Sequence, residues 1–387
     1  MMPLAQRLAA RIRAEGPLRF DAFQEAALYD REAGYYERAG RVGRSGDFVT
    51  GPSWHPAFGR TIARIARRLR EEGKREEEIS LKVEEGAPRL LRAPTDVVDV
   101  GAGEGELLAA AGEALGAWGV RDDFRLVGVE RSAVRLAGAA ERVPSATWLS
   151  SLEEIPSSSL SGLVVCYELF DALPVRALFF EGEKLLERVV TLGPDGEGFA
   201  WAVAECPDAE DLLERFRERG IHLQRKQNLE VRVGAAGLAA ALASRLTSGL
   251  ILVFDYGAPA RALYSAARPN GTLEAFVSHG VTRDVLRDPG SRDLTAWVDF
   301  SEVADAFTAA GLSVEPLASQ SRVLAAGGIF EDLAVDASAP PDAERESDRR
   351  AAAALVQPGG MGESIRVLIA SRSTALGPAF ASWRNPA

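Results

Sequence analysis

The sequence contains only two cysteines and three histidines among its 387 residues. Cys166 and Cys206 cannot build a disulfide framework, and Cys166 lies inside an apolar run that is typical of a core residue. The histidines lie far apart in the chain, so no spacing of cysteines and histidines typical of a metal site is present. We therefore expect a protein of a reducing cytoplasm that holds no metal.

An excess of positive charge and long apolar runs are also missing. The chain has 45 lysines and arginines against 56 aspartates and glutamates, which gives a net charge of -11. Nucleic acid is therefore not expected as the main partner, because phosphate binding needs a basic surface. No apolar run is long enough to span a bilayer, so we expect no membrane span. A basic protein segment stays open as a substrate, because an acidic cleft would attract it.

From residue 95 onward, the sequence alternates between β-branched runs and helical segments. Such an alternation is typical of a mainly parallel sheet covered on both faces, and it predicts an α/β fold. The predicted strands are 96–101, 124–130, 146–151, 162–168 and 250–257. The stretch ALFFEGEKLLERVVTL predicts a hairpin that turns at residues 181–184, and GFAWAVAE (198–205) predicts a third strand beside it.

These patterns predict three segments along the chain. Residues 1–94 form an N-terminal helical segment with a loop that covers a ligand. Residues 95–258 form the sheet domain, into which a small lobe is inserted at about 175–235. Residues 259–387 supply a further lobe and the final strands of the core. Within this last segment the polar, turn-rich residues 333–350 predict a mobile loop.

The stretch DVVDVGAGEGELLAA (96–110) joins a predicted strand to a predicted helix through a glycine-rich turn. Such a turn brings backbone N–H groups and the positive end of a helix to one point. The dinucleotide fingerprint is G-x-G-x-x-G, whereas the spacing here is G-x-G-x-G and position 106 is a glutamate. Three acidic residues flank the turn: Asp99, Glu104 and Glu106. Their charge would repel a pyrophosphate, which disfavours a NAD-dependent oxidoreductase and favours a ligand that carries positive charge.

S-adenosylmethionine (SAM) is a ligand of this kind, because its sulfonium and amino groups are cationic. Glycine lets the backbone come close to the amino-acid part of SAM, since no Cβ intervenes. The residues expected at this position are Asp99, Gly101, Ala102, Gly103 and Gly105. The sequence of the turn therefore predicts a SAM-binding loop.

Further candidate residues lie at the ends of the other predicted strands, where ligands of open α/β sheets bind. Glu130 ends the second strand, and its carboxylate would accept both ribose hydroxyls. Ser151 and Leu152 follow the third strand and would bracket the adenine. Glu168 ends the fourth strand. The alternative is that Asp99 and Glu130 only cap helices.

Several motifs occur in order along nearly the whole chain: ALYDREAGYY (27–36), GDFVTGPSWHPAFG (46–59), YELFDALPVRA (167–177), DYG (255–257), NGTLEAFVSHG (270–280), RDLTAWVDFSEVADAFTAAGL (292–312), ASQSRVL (318–324) and MGESIRVLIAS (361–371). On these motifs the chain resembles the MidA family of SAM-dependent methyltransferases. The family usually has asparagine where Tyr167 stands and tyrosine where Phe276 stands. These departures leave the identity of the methyl acceptor open.

The resemblance implies a Rossmann-like class I methyltransferase fold, SAM as the cofactor without a metal, and methylation of an arginine on a protein. Because the family assists assembly of mitochondrial complex I and has bacterial relatives, a respiratory-complex subunit is one candidate substrate. The resemblance also implies that the loop GDFVTGP, with Asp47 and Thr50, folds over the cofactor. An ordinary turn between lobes is the alternative for this loop. A bacterial cytoplasmic protein is expected, and a dimer is one candidate oligomeric state.

For such a reaction, carboxylates must hold the acceptor guanidinium, localise its charge and orient one nitrogen. Glu168 and Asp171, three residues apart at the end of the fourth strand, are the candidates. The alternative for Asp171 is the N-cap of a helix that begins at Ala172. Two other functions stay open on the same fold: methylation of a small molecule, and a non-catalytic assembly factor.

Overall fold

The structure is a computed structural model, and it describes residues 2–38, 49–83, 95–277, 280–334 and 342–374. The helices are α1 (Leu4–Glu15), α2 (Phe20–Tyr29), α3 (Gly51–Trp54), α4 (Ala57–Val83), α5 (Glu106–Ala117), α6 (Ala133–Arg142), α7 (Ala209–Glu218), α8 (Ala235–Arg245), α9 (Ala260–Leu263), α10 (Phe300–Ala309), α11 (Gln320–Gly327), α12 (Phe330–Leu333), α13 (Ala343–Ala353) and α14 (Met361–Ser364). Three short 3-10 helices occur at Tyr35–Glu37, Arg121–Asp123 and Leu152–Glu154.

The strands follow the predicted alternation with helices. They are β1 (Leu18–Arg19), β2 (Asp96–Val100), β3 (Arg125–Val129), β4 (Thr147–Leu149), β5 (Leu160–Tyr167), β6 (Val175–Phe180), β7 (Leu185–Leu192), β8 (Phe199–Glu205), β9 (Gln227–Arg232), β10 (Leu246–Ala258), β11 (Glu274–Val277), β12 (Gly280–Thr282), β13 (Asp293–Thr295), β14 (Val298–Asp299), β15 (Ser313–Val314), β16 (Ala318–Ser319) and β17 (Ile365–Arg372). The five strands predicted for the sheet domain correspond to β2, β3, β4, β5 and β10.

The chain divides into two compact units that interleave along the sequence. Unit 1 comprises Met1–Phe48, Phe170–Ala236 and Tyr256–Val303. Unit 2 comprises Val49–Leu169, Gly237–Asp255 and Ala304–Ala387. The domain boundaries predicted from the sequence, at residues 94 and 258, are not tested by this division into compact units. They stay predictions.

Unit 2 contains the main sheet. Strands β4, β3, β2, β5 and β10 lie side by side in that order, and each pair of neighbours is parallel. β17 continues the sheet beside β10, and β15 and β16 pair with β17 in the antiparallel direction. The sheet is therefore mixed, with a parallel part as predicted and antiparallel strands beyond β10.

The order of the strands reverses beside β2. The chain runs outward from β2 through β3 to β4, and it then returns to place β5 on the other side of β2. All five residues of β2 are buried, as expected for a central parallel strand. Ligands of open α/β sheets bind at such a reversal, outside the carboxyl ends of the strands.

Helix α4 packs against α5 and against strands β2 and β5 of unit 2. Its apolar side is fully buried at Phe58, Ile62 and Ile65. At Gly59 the two helices come so close that a side chain would place its Cβ 2.6 Å from the Cβ of Ala110. This close packing fixes α5, the helix that follows the glycine turn.

Unit 1 contains an antiparallel sheet with the order β1, β7, β6, β9, to which β8 is added on β7. The predicted hairpin is confirmed: β6 and β7 are joined at 181–184, where the Glu181 N–H donates to the Lys184 carbonyl at 3.0 Å. The predicted third strand is β8. Helices α1 and α2 pack onto this sheet, and Phe20, Phe23 and Tyr35 are fully buried in their core.

The prediction of a mobile loop at 333–350 is wrong for its second half, where α13 begins at Ala343. The Asp342 side chain caps this helix by accepting the N–H groups of Glu344 and Arg345. The Trp54 Nε1–H also donates to the Ala351 carbonyl at 2.6 Å, which anchors the helix within unit 2. The polar composition of residues 333–350 gave no sign of the Asp342 cap or of the hydrogen bond from Trp54. Residues 335–341 lie outside the described part of the chain.

Candidate functional site

The loop after β2 depends on three glycines whose backbone lies in the left-handed region. The φ angles of Gly101, Gly103 and Gly105 are 80°, 55° and 81°. Side chains are strained at such angles, and this strain explains the choice of glycine. The N–H groups of Gly101 and Ala102 both donate to the Val129 carbonyl, at 2.8 and 3.0 Å. The loop is thereby held against the end of β3.

The three glycines differ in what surrounds them. A Cβ on Gly101 would lie 2.9 Å from the Leu169 Cδ1 atom, and a Cβ on Gly105 would lie 3.0 Å from the Trp148 ring. A Cβ on Gly103 would meet no atom within 4 Å. A side chain at Gly101 or Gly105 would therefore press on a neighbouring side chain, whereas Gly103 faces open space in which a ligand could lie against the backbone.

Carboxyl groups gather around this loop. Asp99 is 3% exposed and Glu130 is 7% exposed, while Glu106 is half-buried at the start of α5. Burial raises the pKa of Asp99 to about 8, and the negative charges of Glu106 and Glu130 add to the effect. Burial also raises the pKa of Glu106. A cation placed here would relieve the repulsion among these groups.

The carboxylate of Glu130 is held in position by the backbone. One oxygen accepts the N–H of Gly103 at 2.9 Å, and the other accepts the N–H of Ser132 at 2.8 Å. Ser132 is the N-cap of α6, and Gly105 occupies the N-cap position of α5. Neither Asp99 nor Glu130 is therefore the N-cap of a helix, and that alternative is wrong.

Ser151 and Leu152 follow β4 and are half-buried. The Ser151 hydroxyl accepts the Glu153 N–H at 3.2 Å and caps the short 3-10 helix that begins at Leu152. The Leu152 carbonyl accepts a hydrogen bond from the Arg245 Nε at 2.8 Å. These contacts order the turn after β4, and the predicted contact of both residues with an adenine stays a prediction.

Trp148, on β4, is a residue of this region that the sequence analysis did not single out. Its ring lies against Gly105, and a Cβ on Gly128 would be 2.1 Å from the ring. Its indole N–H donates to the Val143 carbonyl at 3.0 Å. Trp148 on β4 pairs with Gly128 on the neighbouring strand β3. A large aromatic residue on one predicted strand and a glycine on the next are the sequence signal that could have identified this contact.

Thr50, which was predicted to cover the cofactor, is the N-cap of α3. Its hydroxyl accepts the Ser53 N–H, and the Ser53 hydroxyl accepts the Thr50 N–H at 3.1 Å. The next residue, Gly51, packs on Tyr167: a Cβ there would lie 2.6 Å from the tyrosine hydroxyl. Asp47 lies outside the described residues, so its predicted role has no structural counterpart here.

Glu168 follows β5 directly and has a φ angle of 48°, which is uncommon for a residue with a side chain. Its N–H donates to the Phe254 carbonyl on β10 at 2.8 Å. The preceding Tyr167 stacks on Phe254, and its hydroxyl donates to the Gln320 Oε1 at 2.9 Å. The surrounding contacts maintain this strained backbone, a feature that is common at functional sites.

Asp171 lies in unit 1 and is 8% exposed. Burial raises its pKa, and the positive charge of Arg232 partly opposes the effect. The Thr295 hydroxyl donates to its carboxylate at 2.9 Å. The N–H of Leu173 donates to the Phe170 carbonyl at 3.1 Å in a turn, and no helix begins at Ala172. The N-cap interpretation of Asp171 is therefore wrong.

The parallel strands of unit 2 bring most of the predicted residues to one edge of the sheet. Asp99, the glycine turn, Glu130, Ser151 with Leu152, and Glu168 lie at or after the carboxyl ends of β2, β3, β4 and β5. Asp171 belongs to unit 1.

Neither a membrane-spanning element nor a metal site is found in the residues that the structure describes. No helix in the described ranges is long and apolar enough to cross a membrane. Across the same ranges, no group of three or more histidine, cysteine, aspartate or glutamate side chains is arranged to hold a metal ion.

Comparisons with known proteins agree on one class. A family described as S-adenosyl-L-methionine-dependent methyltransferases matches residues 77–317. The mitochondrial protein arginine methyltransferase NDUFAF7 homolog of Drosophila melanogaster is 27% identical over 332 residues, which span 78% of this chain and 69% of the relative. The NDUFAF7 protein arginine methyltransferase of Rattus norvegicus is 25% identical over 317 residues, spanning 77% and 68%.

A solved structure is similar over almost the whole chain. It is a superfamily member from Burkholderia thailandensis with bound S-adenosyl-homocysteine. The two chains are 28% identical and superpose with a TM-score of 0.83, and the match covers 99% of this chain and 95% of that one. The similarity therefore includes both the parallel sheet and the segments inserted into it.

Proposed function

Because the chain belongs to this family of S-adenosyl-L-methionine-dependent methyltransferases, we propose that it transfers methyl groups from SAM to an arginine side chain of a protein. The observation that carries the proposal is the open space at Gly103 beside the buried carboxyl groups of Asp99 and Glu130. A cationic ligand fits such a site, whereas a pyrophosphate would be repelled.

The residues present at this edge of the sheet fit SAM. Glu130, oriented by two backbone N–H groups, would accept the ribose hydroxyls with its remaining lone pairs. Asp99 and the loop from Gly101 to Gly105 would hold the cationic amino-acid part. Ser151 and Leu152 would border the adenine. By resemblance to the family, Asp47 and Thr50 would cover the cofactor.

SAM supplies a methyl group that is already activated by the positive charge on sulfur, so the protein mainly has to align the acceptor and exclude water. The Glu168 carboxylate would bind the acceptor guanidinium and direct one nitrogen toward the methyl group. That nitrogen would form a bond to the methyl carbon as the carbon–sulfur bond breaks, S-adenosyl-homocysteine would leave, and the proton lost by the nitrogen would pass to solvent. Asp171 is the second candidate carboxylate for holding the guanidinium.

Two observations support a protein arginine as the acceptor. The relatives from fruit fly and rat are named protein arginine methyltransferases. The net charge of -11 also favours encounter with a basic segment. By resemblance to the family, a subunit of a respiratory complex is the candidate substrate. The oligomeric state and the cytoplasmic location stay predictions.

The proposed function is tested by incubating the protein with lysate of its host and tritiated SAM. If alkaline cleavage removes the label from a labelled protein band, arginine is not the acceptor. Arginine is also contradicted if mass spectrometry maps the label to any other residue. Label that maps to arginine would support it. Label confined to small molecules would indicate a small-molecule methyltransferase, and SAM binding without any transfer would indicate a non-catalytic factor.

A matched pair of glycine substitutions tests the location of the cofactor. Gly103→Ala should raise the dissociation constant for SAM about tenfold or more, because the new methyl group would project into the space proposed for the cofactor. The left-handed backbone should cost only about 1 kcal/mol of stability. Gly105→Ala should instead destabilise the fold by about 2 to 3 kcal/mol, because its Cβ would press on Trp148.

Calorimetry with SAM and urea unfolding would distinguish the two substitutions. If Gly103→Ala bound SAM as tightly as the unmodified protein, the cofactor would not lie against this loop.

A further inference from the structure

Unit 1 contains a second polar site, a cavity of about 230 Å³ beside the turn that precedes β11. Its volume is below that of cavities that hold drug-sized ligands or cofactors, and it is suited to a single side chain. The charged and polar side chains that line it, together with one aromatic ring, are Arg268, Asn270, Thr272, Glu274, Arg283 and Trp297.

The guanidinium of Arg268 is held in place by two contacts. Its central carbon lies 4.5 Å from the centroid of the Trp297 ring, and one terminal nitrogen donates to the Ala262 carbonyl at 2.5 Å. The backbone beneath the ring is anchored as well, because the main-chain N–H of Trp297 donates to the Thr272 hydroxyl at 3.0 Å. The other N–H groups of Arg268 are therefore pre-organised to bind a planar anion.

The charges that line the cavity do not cancel. Within the part of the chain that the structure describes, neither Arg268 nor Arg283 forms an ion pair, and Glu274 pairs with neither of them. Two guanidinium groups and one carboxylate leave one positive charge in the lining. This local excess is notable because the whole chain carries a net charge of -11.

A further carboxylate lies behind the wall of the cavity, at Glu230. One of its oxygens accepts the backbone N–H of Thr272 at 2.8 Å and the hydroxyl of the same residue at 3.1 Å. Gly271 leaves room for it, since a Cβ there would lie 2.2 Å from the other oxygen. Burial raises the pKa of Glu230, and its carboxylate is not among the groups that line the cavity.

The cavity is connected to a candidate acceptor-binding carboxylate of the same unit: Glu274 pairs with Thr295 across β11 and β13, and the Thr295 hydroxyl donates to Asp171 at 2.9 Å. We propose that this cavity binds the carboxylate of an aspartate or glutamate that lies near the methylated arginine in the protein substrate. A carboxylate presents two oxygens to the forked N–H groups of Arg268, and it neutralises the remaining charge of the lining. Glu274 then excludes a second acidic residue. The inference rests on the proposed function for the nature of the substrate, and it adds a preference for acidic sequence around the acceptor.

The experiment uses arginine peptides in which glutamate or glutamine occupies each flanking position in turn, with labelled SAM as the methyl donor. At one position or a few, the glutamate peptide should have a higher kcat/KM than its glutamine partner. Arg268→Gln should lower that advantage about tenfold. Arg283→Gln should lower it about threefold, because Arg283 is exposed and its charge is screened.

Glu274→Gln should act in the opposite direction and raise the affinity for the glutamate peptide, which a folding defect cannot do. Arg225→Gln is the matched control, because Arg225 is an exposed arginine of the same unit that does not line the cavity. A parallel binding assay uses fluorescent peptides with lysine in place of the acceptor arginine, so that affinity is measured without turnover. The preference for glutamate should weaken as salt is added.

The outcomes separate the two proposals. If none of the peptides is methylated and the host lysate shows no labelled arginine, the proposed function fails. If peptides are methylated but glutamate and glutamine are equivalent at every position, the function stands and this inference is wrong. The inference is also wrong if Arg268→Gln and Arg225→Gln change the glutamate preference equally.

Discussion

Replacing Glu168 with glutamine should lower kcat by about a hundredfold or more, with little change in the dissociation constant for SAM. Glutamine has nearly the same shape, but it cannot accept two charge-assisted hydrogen bonds from a guanidinium. The acceptor would then keep its charge delocalised and lose its alignment. The loss should therefore fall on the chemical step, which single-turnover transfer from labelled SAM measures directly.

The position of Glu168 makes this substitution informative. The residue has a left-handed backbone that is held by the bond from its N–H to the Phe254 carbonyl, and glutamine leaves that bond in place. A matched control is Glu113→Gln, at an exposed position of α5 in the same unit. Equal single-turnover rates for Glu168→Gln and Glu113→Gln would refute the role proposed for Glu168.

Asp99→Asn should change how stability depends on pH. Burial raises the pKa of Asp99 from 3.8 to about 8 in the folded protein, so the folded state binds a proton that the unfolded state has already lost. This group therefore contributes its full stabilisation below pH 4, and the contribution is lost as pH rises toward 8. The loss is on the order of a few kcal/mol, and asparagine, which resembles the protonated acid, should remove it.

The measurement is urea unfolding of both proteins from pH 5 to pH 9. The difference in the free energy of unfolding, variant minus unmodified protein, should increase with pH across this window. Asp122→Asn, the same substitution at an exposed aspartate of the same unit, is the control. A difference that stays constant from pH 5 to pH 9 would mean that Asp99 is ionised in the folded protein throughout.

The same group links pH to the cofactor. A cation beside Asp99 favours its ionised form, so binding of SAM near pH 7 should release a proton from the site. Calorimetry in buffers of different ionisation enthalpy counts that proton. In Asp99→Asn the release should be smaller and the affinity for SAM lower. An unchanged proton count would place the cation of SAM away from Asp99.

The elements of the fold could be predicted because their signals are local. Five apolar runs correspond to β2, β3, β4, β5 and β10, and the hairpin at 181–184 was visible as two apolar runs on either side of a polar turn. The antiparallel additions were harder to predict. β1 is only two residues long, and it exists because Leu18 pairs with Val190 far along the chain. No periodicity can reveal a pairing between such distant segments.

The candidate site shows the same contrast. The acids and glycines of the turn could be singled out from their spacing, because a turn from strand to helix needs left-handed residues in a fixed order. Trp148 and the Tyr167–Gln320 hydrogen bond were missed, since each depends on a residue that is distant in sequence or on a neighbouring strand. The helix α13 was missed for the same reason, because its anchor at Trp54 is remote.

The sequence by itself determined the order of strands and helices, the left-handed turn after β2 and the acidic character of its surroundings, because these follow from residues within one short segment. Tertiary structure alone decided that Gly103 faces open space while Gly101 and Gly105 face side chains. It also decided that Asp99 is buried deeply enough to hold its proton near pH 7. Both properties depend on atoms brought from other strands, and close packing of those strands is what creates them.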